Sequence, residues 1–201
     1  MIDQHSFYQA LCIALSMMPD SHPSLPALAS LLVECSAADE LKLVGSDGER
    51  IVVVTLAVAH GQAAGASMRL APGEARDMLA LWNCPPEINH RLTLCFMGDL
   101  LMVTDGVQCA TCTALPGEYP DYQAVMHHKS APPGARTFRR ADMAEALAIL
   151  EPVADLVRVN VNGLLGPGYI EAEGKGAIKS VVMGFHPVSA PAVGGKGGKS
   201  K

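Results

Sequence analysis

Charge is scarce in this chain. Only 17% of its 201 residues are Asp, Glu, Lys or Arg, and the formal net charge is −5. A strongly basic nucleic-acid binder is not indicated, although a local cationic patch stays possible. No apolar run reaches the roughly 18 to 20 residues needed to span a bilayer. The opening MIDQHSFYQA has neither the basic start nor the apolar stretch of a secretion signal, so a cytoplasmic protein is expected. The nucleophile elbow GxSxG, the phosphate loop GxxxxGK[ST] and the zinc motif HExxH are all missing. Asp99, Asp105 and Asp121 fall at turns rather than in a paired catalytic array. A non-enzyme is expected, with no cofactor and no metal.

Cysteine is sparse too. Six in the whole chain are too few for a disulfide scaffold, and free thiols are expected in a reducing compartment. Cys109 and Cys112, in CATC, have a spacing found in zinc and redox sites. Their surroundings, GVQCATCTAL, read as a strand, in which residues three apart face opposite ways. There is no second such pair, and His127-His128 nearby read as solvated loop residues.

What the chain does have is apolar content, 49% of residues, enough for one core or a compact pair. Three segments carry helical periodicity. SFYQALCIALSMMP has Ser6 and Gln9 at capping-box spacing and aligns Phe7, Leu11, Ala14, Leu15 and Met18. PGEARDMLALW opens with Glu74 and Asp77 and aligns Ala75, Met78, Leu79 and Trp82. RRADMAEALAILEP aligns Met143, Ala146, Leu147 and Leu150 before Pro152. Each is followed by β-rich runs with hairpin punctuation, and in LVRVNVN the valines Val157, Val159 and Val161 alternate with polar residues, predicting one buried face and one wet one. The helices open near Phe7, Glu74 and Ala141, at equal intervals, and a Ser/Thr-Asp-Gly turn recurs at 46–48 and 104–106. The fold class expected is α+β, with three repeated units of one helix plus antiparallel strands. APAVGGKGGKSK at the end reads as a flexible basic tail.

One stretch breaks the pattern. LPGEYPDYQAV, residues 115–125, ends an apolar strand with a glycine, two prolines and two of the four tyrosines, and reads as a corner. GEYPDYQAV resembles the G-x-[FY]-P-D-Y corner in the middle domain of bacterial DNA polymerase sliding clamps, the beta subunits. LKLVGSDGERI is similar to that family's L-x-x-x-A-T-D-G-x-R-L segment, and KSVVMGF takes the place of its C-terminal Y-V-V-M-P-M-R strand. The resemblance implies a DNA-clamp-like fold. Residues 1–128 would be one clamp-like domain, 129–136 a linker, 137–188 half of a further domain, and 189–201 the tail.

The resemblance also implies a peptide-binding pocket for polymerases and other client proteins, lined by Leu28, Ser46, Gly48, Arg50, Ile51, Val181 and Met183. Glu49 stands where the family commonly has histidine, and His127 and Gly184 stand in place of prolines. The corner itself reads as scaffold that positions the groove. Non-specific contacts to double-stranded DNA would fall to Arg136, Arg139 and Arg140, the one local basic cluster before the tail, where a solvated helix start is the alternative. If a ring takes twelve units, four chains of three units supply them, so a homo-oligomer is expected. The leading function is a processivity factor in DNA replication. The alternative is a clamp-derived binding module, accessory subunit or decoy, that captures clamp-binding motifs without encircling DNA.

Overall fold

The computed structural model describes residues 1–20, 26–59, 64–83, 90–126, 138–161 and 168–185. The expected linker, the basic tail, His127, His128 and Arg136 lie outside the described residues. In chain order the elements are β1 (Ile2–Asp3), α1 (Gln4–Ser16), a 3-10 turn (Pro26–Leu28), β2 (Leu31–Ala37), β3 (Glu40–Ser46), β4 (Arg50–Ala57), β5 (Ser67–Leu70), α2 (Pro72–Leu81), β6 (Arg91–Met97), β7 (Leu100–Thr104), β8 (Cys109–Thr113), α3 (Tyr122–Met126), α4 (Arg140–Leu150), β9 (Val157–Val161), β10 (Gly168–Glu173) and β11 (Ile178–Phe185). The class is α+β with antiparallel sheets, as expected. One sheet has four strands, β1-β6-β7-β8, and the other seven, β5-β2-β3-β4-β11-β10-β9. The larger sheet is continuous because β4 pairs with β11 from Arg50↔Phe185 to Leu56↔Ile178.

The inner face of that sheet carries Leu31, Val33, Leu41, Leu43, Val52, Val54, Val181, Met183 and Ile170, packed with Phe7, Leu11 and Ala14 of α1 and Ala146 and Leu150 of α4. Approach is closest at Gly45, where a Cβ would lie 2.1 Å from the Ala14 carbonyl oxygen, so any side chain there would push α1 off the sheet. The α1 cap differs from the expected Ser6–Gln9 box. Asp3 is the N-cap and accepts from the Ser6 N–H at 2.7 Å. Ser6, drawn inside the helix, instead accepts from the Ala177 N–H at 3.2 Å and ties α1 to the β10–β11 turn.

The outer face is covered too, but only locally. Leu32, Val44, Ile51 and Val53 pack beneath Tyr122, with Tyr119 and Met126 alongside, in a second, smaller cluster. Strands β3 and β4 are therefore apolar on both faces, which accounts for their unbroken Val and Leu runs.

Two expectations about the sheet edges resolve differently. Cys109 is exposed and Cys112 buried on β8, opposite faces as anticipated. Burial first, then Glu74 and Asp77, pushes the Cys112 thiol up to about 11, which makes it a poor nucleophile. Among the described residues no group of His, Cys, Asp and Glu could hold a metal ion. The β9 valines, by contrast, do not form a buried face: Val157 is 36% exposed and Val159 50%, and neighbouring Leu156 is 85% exposed. They sit opposite core residues Ala172 and Ile170, but β9 is the last strand of the sheet, where the apolar cover ends. Among the described residues no helix is long and apolar enough to cross a membrane.

Candidate functional site

The Ser46–Arg50 segment is a turn built by its own side chains. Ser46 Oγ donates to the Arg50 carbonyl (2.7 Å) and accepts from the Gly48 N–H (3.1 Å). Asp47 Oδ1 accepts from the N–H groups of Glu49 (2.9 Å) and Arg50 (2.6 Å). Gly48 closes the turn at φ 88°, a left-handed conformation that costs glycine nothing. The guanidinium of Arg50 folds back over the turn, Nε donating to Asp47 Oδ2 at 2.8 Å and Nη1 to Glu145 Oε2 of α4 at 2.6 Å. Partial burial alone would lower the Arg50 pKa, but hydrogen bonds to these two carboxylates reverse that and raise it. The turn is thereby fixed to α4.

Beside it the corner descends onto the sheet. The Tyr122 hydroxyl donates to Glu34 Oε2 at 2.7 Å, while Arg69 Nη1 donates to the Pro116 carbonyl at 2.8 Å and the Leu115 N–H to the Arg69 carbonyl at 2.8 Å. Burial raises the phenol pKa of both Tyr119 and Tyr122, and the bond to Glu34 adds to the second. Tyr119 Oη is buried with no hydrogen-bond partner among the described residues.

Turn, corner and the end of β11 enclose a cavity of about 160 Å³ lined by Leu28, Ser46, Gly48, Glu49, Arg50, Ile51, Tyr119, Pro120, Asp121, Tyr122, Gly184 and Phe185. Its lining is mostly apolar, with polar groups at the turn. Five of the seven pocket residues expected from the sequence meet here: Leu28, Ser46, Gly48, Arg50 and Ile51. Val181 and Met183 do not. Both are fully buried in the inner core, because side chains alternate along β11 and theirs face the helices. Gly184, on the opposite face and paired with Ile51, stands at the cavity instead, and Phe185, an inner-core residue like them, borders it where β11 ends. The corner reaches the cavity directly, with Tyr119, Pro120, Asp121 and Tyr122 forming one wall.

No protein-family model matches the chain, and no curated protein does. Solved structures do. A chain assigned as a DNA polymerase III beta subunit from Eubacterium rectale superposes with a TM-score of 0.73 at 10% identity, over 93% of this chain and 64% of that one. The DNA polymerase sliding clamp of Bacillus subtilis gives 0.68 at 12%, over 94% and 64%. The Helicobacter pylori beta clamp, solved bound to a DNA ligase peptide, gives 0.68 at 13%, over 91% and 63%. The fold is that of the bacterial sliding clamps. The chain spans just under two thirds of the length of these three structures.

Of the arginines expected at DNA, Arg139 and Arg140 fall among the described residues, side by side at the start of α4. Arg139, the residue that caps α4, pairs with Glu49 Oε2 at 3.4 Å and so belongs to the cavity mouth. Arg140 is exposed at the first turn of α4. The cationic start of α4, ill-matched to its own dipole, thus meets a carboxylate from the β3–β4 turn. On α2, Arg76 is paired with Asp20 at 2.6 Å, and α1 has no Lys or Arg.

Proposed function

We propose that this protein is a non-catalytic DNA replication factor of the sliding-clamp type, which holds polymerase-type partner proteins by inserting an apolar anchor of a short linear motif into the Leu28–Phe185 cavity. One observation carries the reading: residues at 28, 46–51 and 184–185, far apart in sequence, converge on a single apolar cleft with a few fixed polar groups. That construction suits an extended peptide with a hydrophobic anchor. A cavity of about 160 Å³ matches the size that accepts a benzene-sized group, so one aliphatic or aromatic side chain fills it. Support by likeness comes from the Helicobacter pylori clamp, a fold neighbour bound to a ligase peptide. The test is calorimetric titration with a hydrophobic-anchor peptide. Leu28→Asp, which places a charge in the cleft, is expected to weaken binding at least tenfold while the circular dichroism spectrum is retained. Unchanged affinity in that variant would remove the cavity from the reading.

The exposed apolar edge of β9, with Leu156, Val157 and Val159, supports self-association of chains through strand addition, as closure around DNA would require. A second reading, a motif-binding module that does not encircle DNA, is favoured by the helices. Residues of α1, α2 and α4 carry Glu74, Asp77, Asp142 and Glu145 against only Arg76 and Arg140. Light scattering at low and moderate salt separates the two: a discrete closed oligomer that retains circular DNA supports encirclement, and a monomer at micromolar concentration supports the module.

A further inference from the structure

We propose that the cavity selects motifs whose apolar anchor is flanked by lysine or arginine. This rests on the reading of the cavity as a peptide site and concerns the charge of its mouth.

Glu49 and Asp121 both line the cavity, one on the β3–β4 turn and the other on the corner. The one cation in the lining, Arg50, has Nε and Nη1 committed to Asp47 and Glu145, so its charge is offset from behind. Around the opening, four carboxylates therefore stand against Arg50 and Arg139 among the described residues. The Glu49–Arg139 pair is long, at 3.4 Å, with side chains 72% and 60% exposed. Exposed pairs of this kind contribute little and exchange readily, which leaves the Glu49 carboxylate open to an incoming ammonium or guanidinium. The negative character continues over the corner. There a more polar cleft of about 470 Å³ includes Glu34, Glu118 and again Asp121, with Arg69 as its cation. Arg69 already donates to Ser30 and to the Pro116 carbonyl. Tyr119 lines both clefts, so the two share a wall and a peptide seated in the first can run on toward the second. An acidic flank would meet these carboxylates at close range, so repulsion as well as attraction sets the choice.

The experiment compares two capped hexapeptides by calorimetry, each with a single phenylalanine anchor, one flanked by lysines and one by glutamates. The lysine peptide is expected to bind about 5 to 10 times more tightly at low salt, with the gap narrowing in 0.5 M salt as charges are screened. Glu49→Lys combined with Asp121→Asn, which keeps an acceptor for the Ala124 N–H, is expected to abolish or invert the preference. Equal binding of both peptides, lost in Leu28→Asp, would overturn the charge selection and leave the peptide site standing. Failure of both peptides to bind would overturn the site and the selection together.

Discussion

The chain makes the same turn twice and uses it differently. At the β7–β8 connection Thr104 Oγ1 donates to the Gln108 carbonyl (2.6 Å) and accepts from the Gly106 N–H (3.0 Å), while Asp105 Oδ1 accepts from the N–H groups of Val107 (2.8 Å) and Gln108 (2.7 Å). Every bond has its counterpart in the Ser46–Arg50 turn, and the glycines agree, φ 91° at Gly106 and 88° at Gly48. The surroundings of the two turns differ. Arg50 reaches Asp47 and α4, and the corner closes over one side. The second turn points into solvent, with Val107 90% exposed. A short polar motif dictates a backbone shape, and only its neighbours turn that shape into a site.

This contrast is open to direct attack. The largest effect is expected from Asp47→Ala, which removes two backbone caps and leaves the half-buried Arg50 with one carboxylate. About 2 to 3 kcal/mol of stability should be lost in denaturant titration. Asp105→Ala removes the same two backbone caps at an exposed site and should give a clearly smaller shift of the midpoint. Equal shifts would show that the tertiary contacts of the first turn add nothing. Alkaline pH should separate the regions next. The Tyr119 and Tyr122 pKa values are raised in the folded state, so their contribution is complete below the unfolded value of about 10 and declines as pH rises beyond it. Hydrogen exchange near pH 10.5 is expected to show earlier opening at the corner and Ser46–Arg50 than at Thr104–Gln108. Arg50→Gln, which gives the first turn the residue of the second, should cost about 1 kcal/mol and change peptide affinity severalfold. Gln108→Arg, the reverse exchange, should leave stability within about 0.5 kcal/mol, because an ion pair with Asp105 at so exposed a turn contributes little.

Much of the fold was legible because its elements obey local rules. The helices at 4–16, 72–81 and 140–150 lie where periodicity predicted them, and both Asp-Gly turns form. The sequence was less informative wherever the answer depended on what covers a face. Val181, Val182 and Met183 are all apolar, so pattern alone could not fix which set faces the helices, and the expected pocket pair fell on the wrong side. The valines of β9 alternate as a half-buried strand should, yet the strand is an edge. The Tyr-Pro-Asp-Tyr corner was visible as a bend, but only the folded chain shows that its tyrosines wall a cavity. Glu49 and Gly184, both noted as departures from the family pattern, both line the cavity.

The pairing of Ile51 with Gly184 has a mechanical consequence. The cleft lies across the seam where β4 meets β11, with Ile51 from one side and Phe185 from the other among its walls. Prying the two strands apart and emptying the cleft are therefore one motion. An occupant of the cleft would touch both strands and would resist a load that opens the seam.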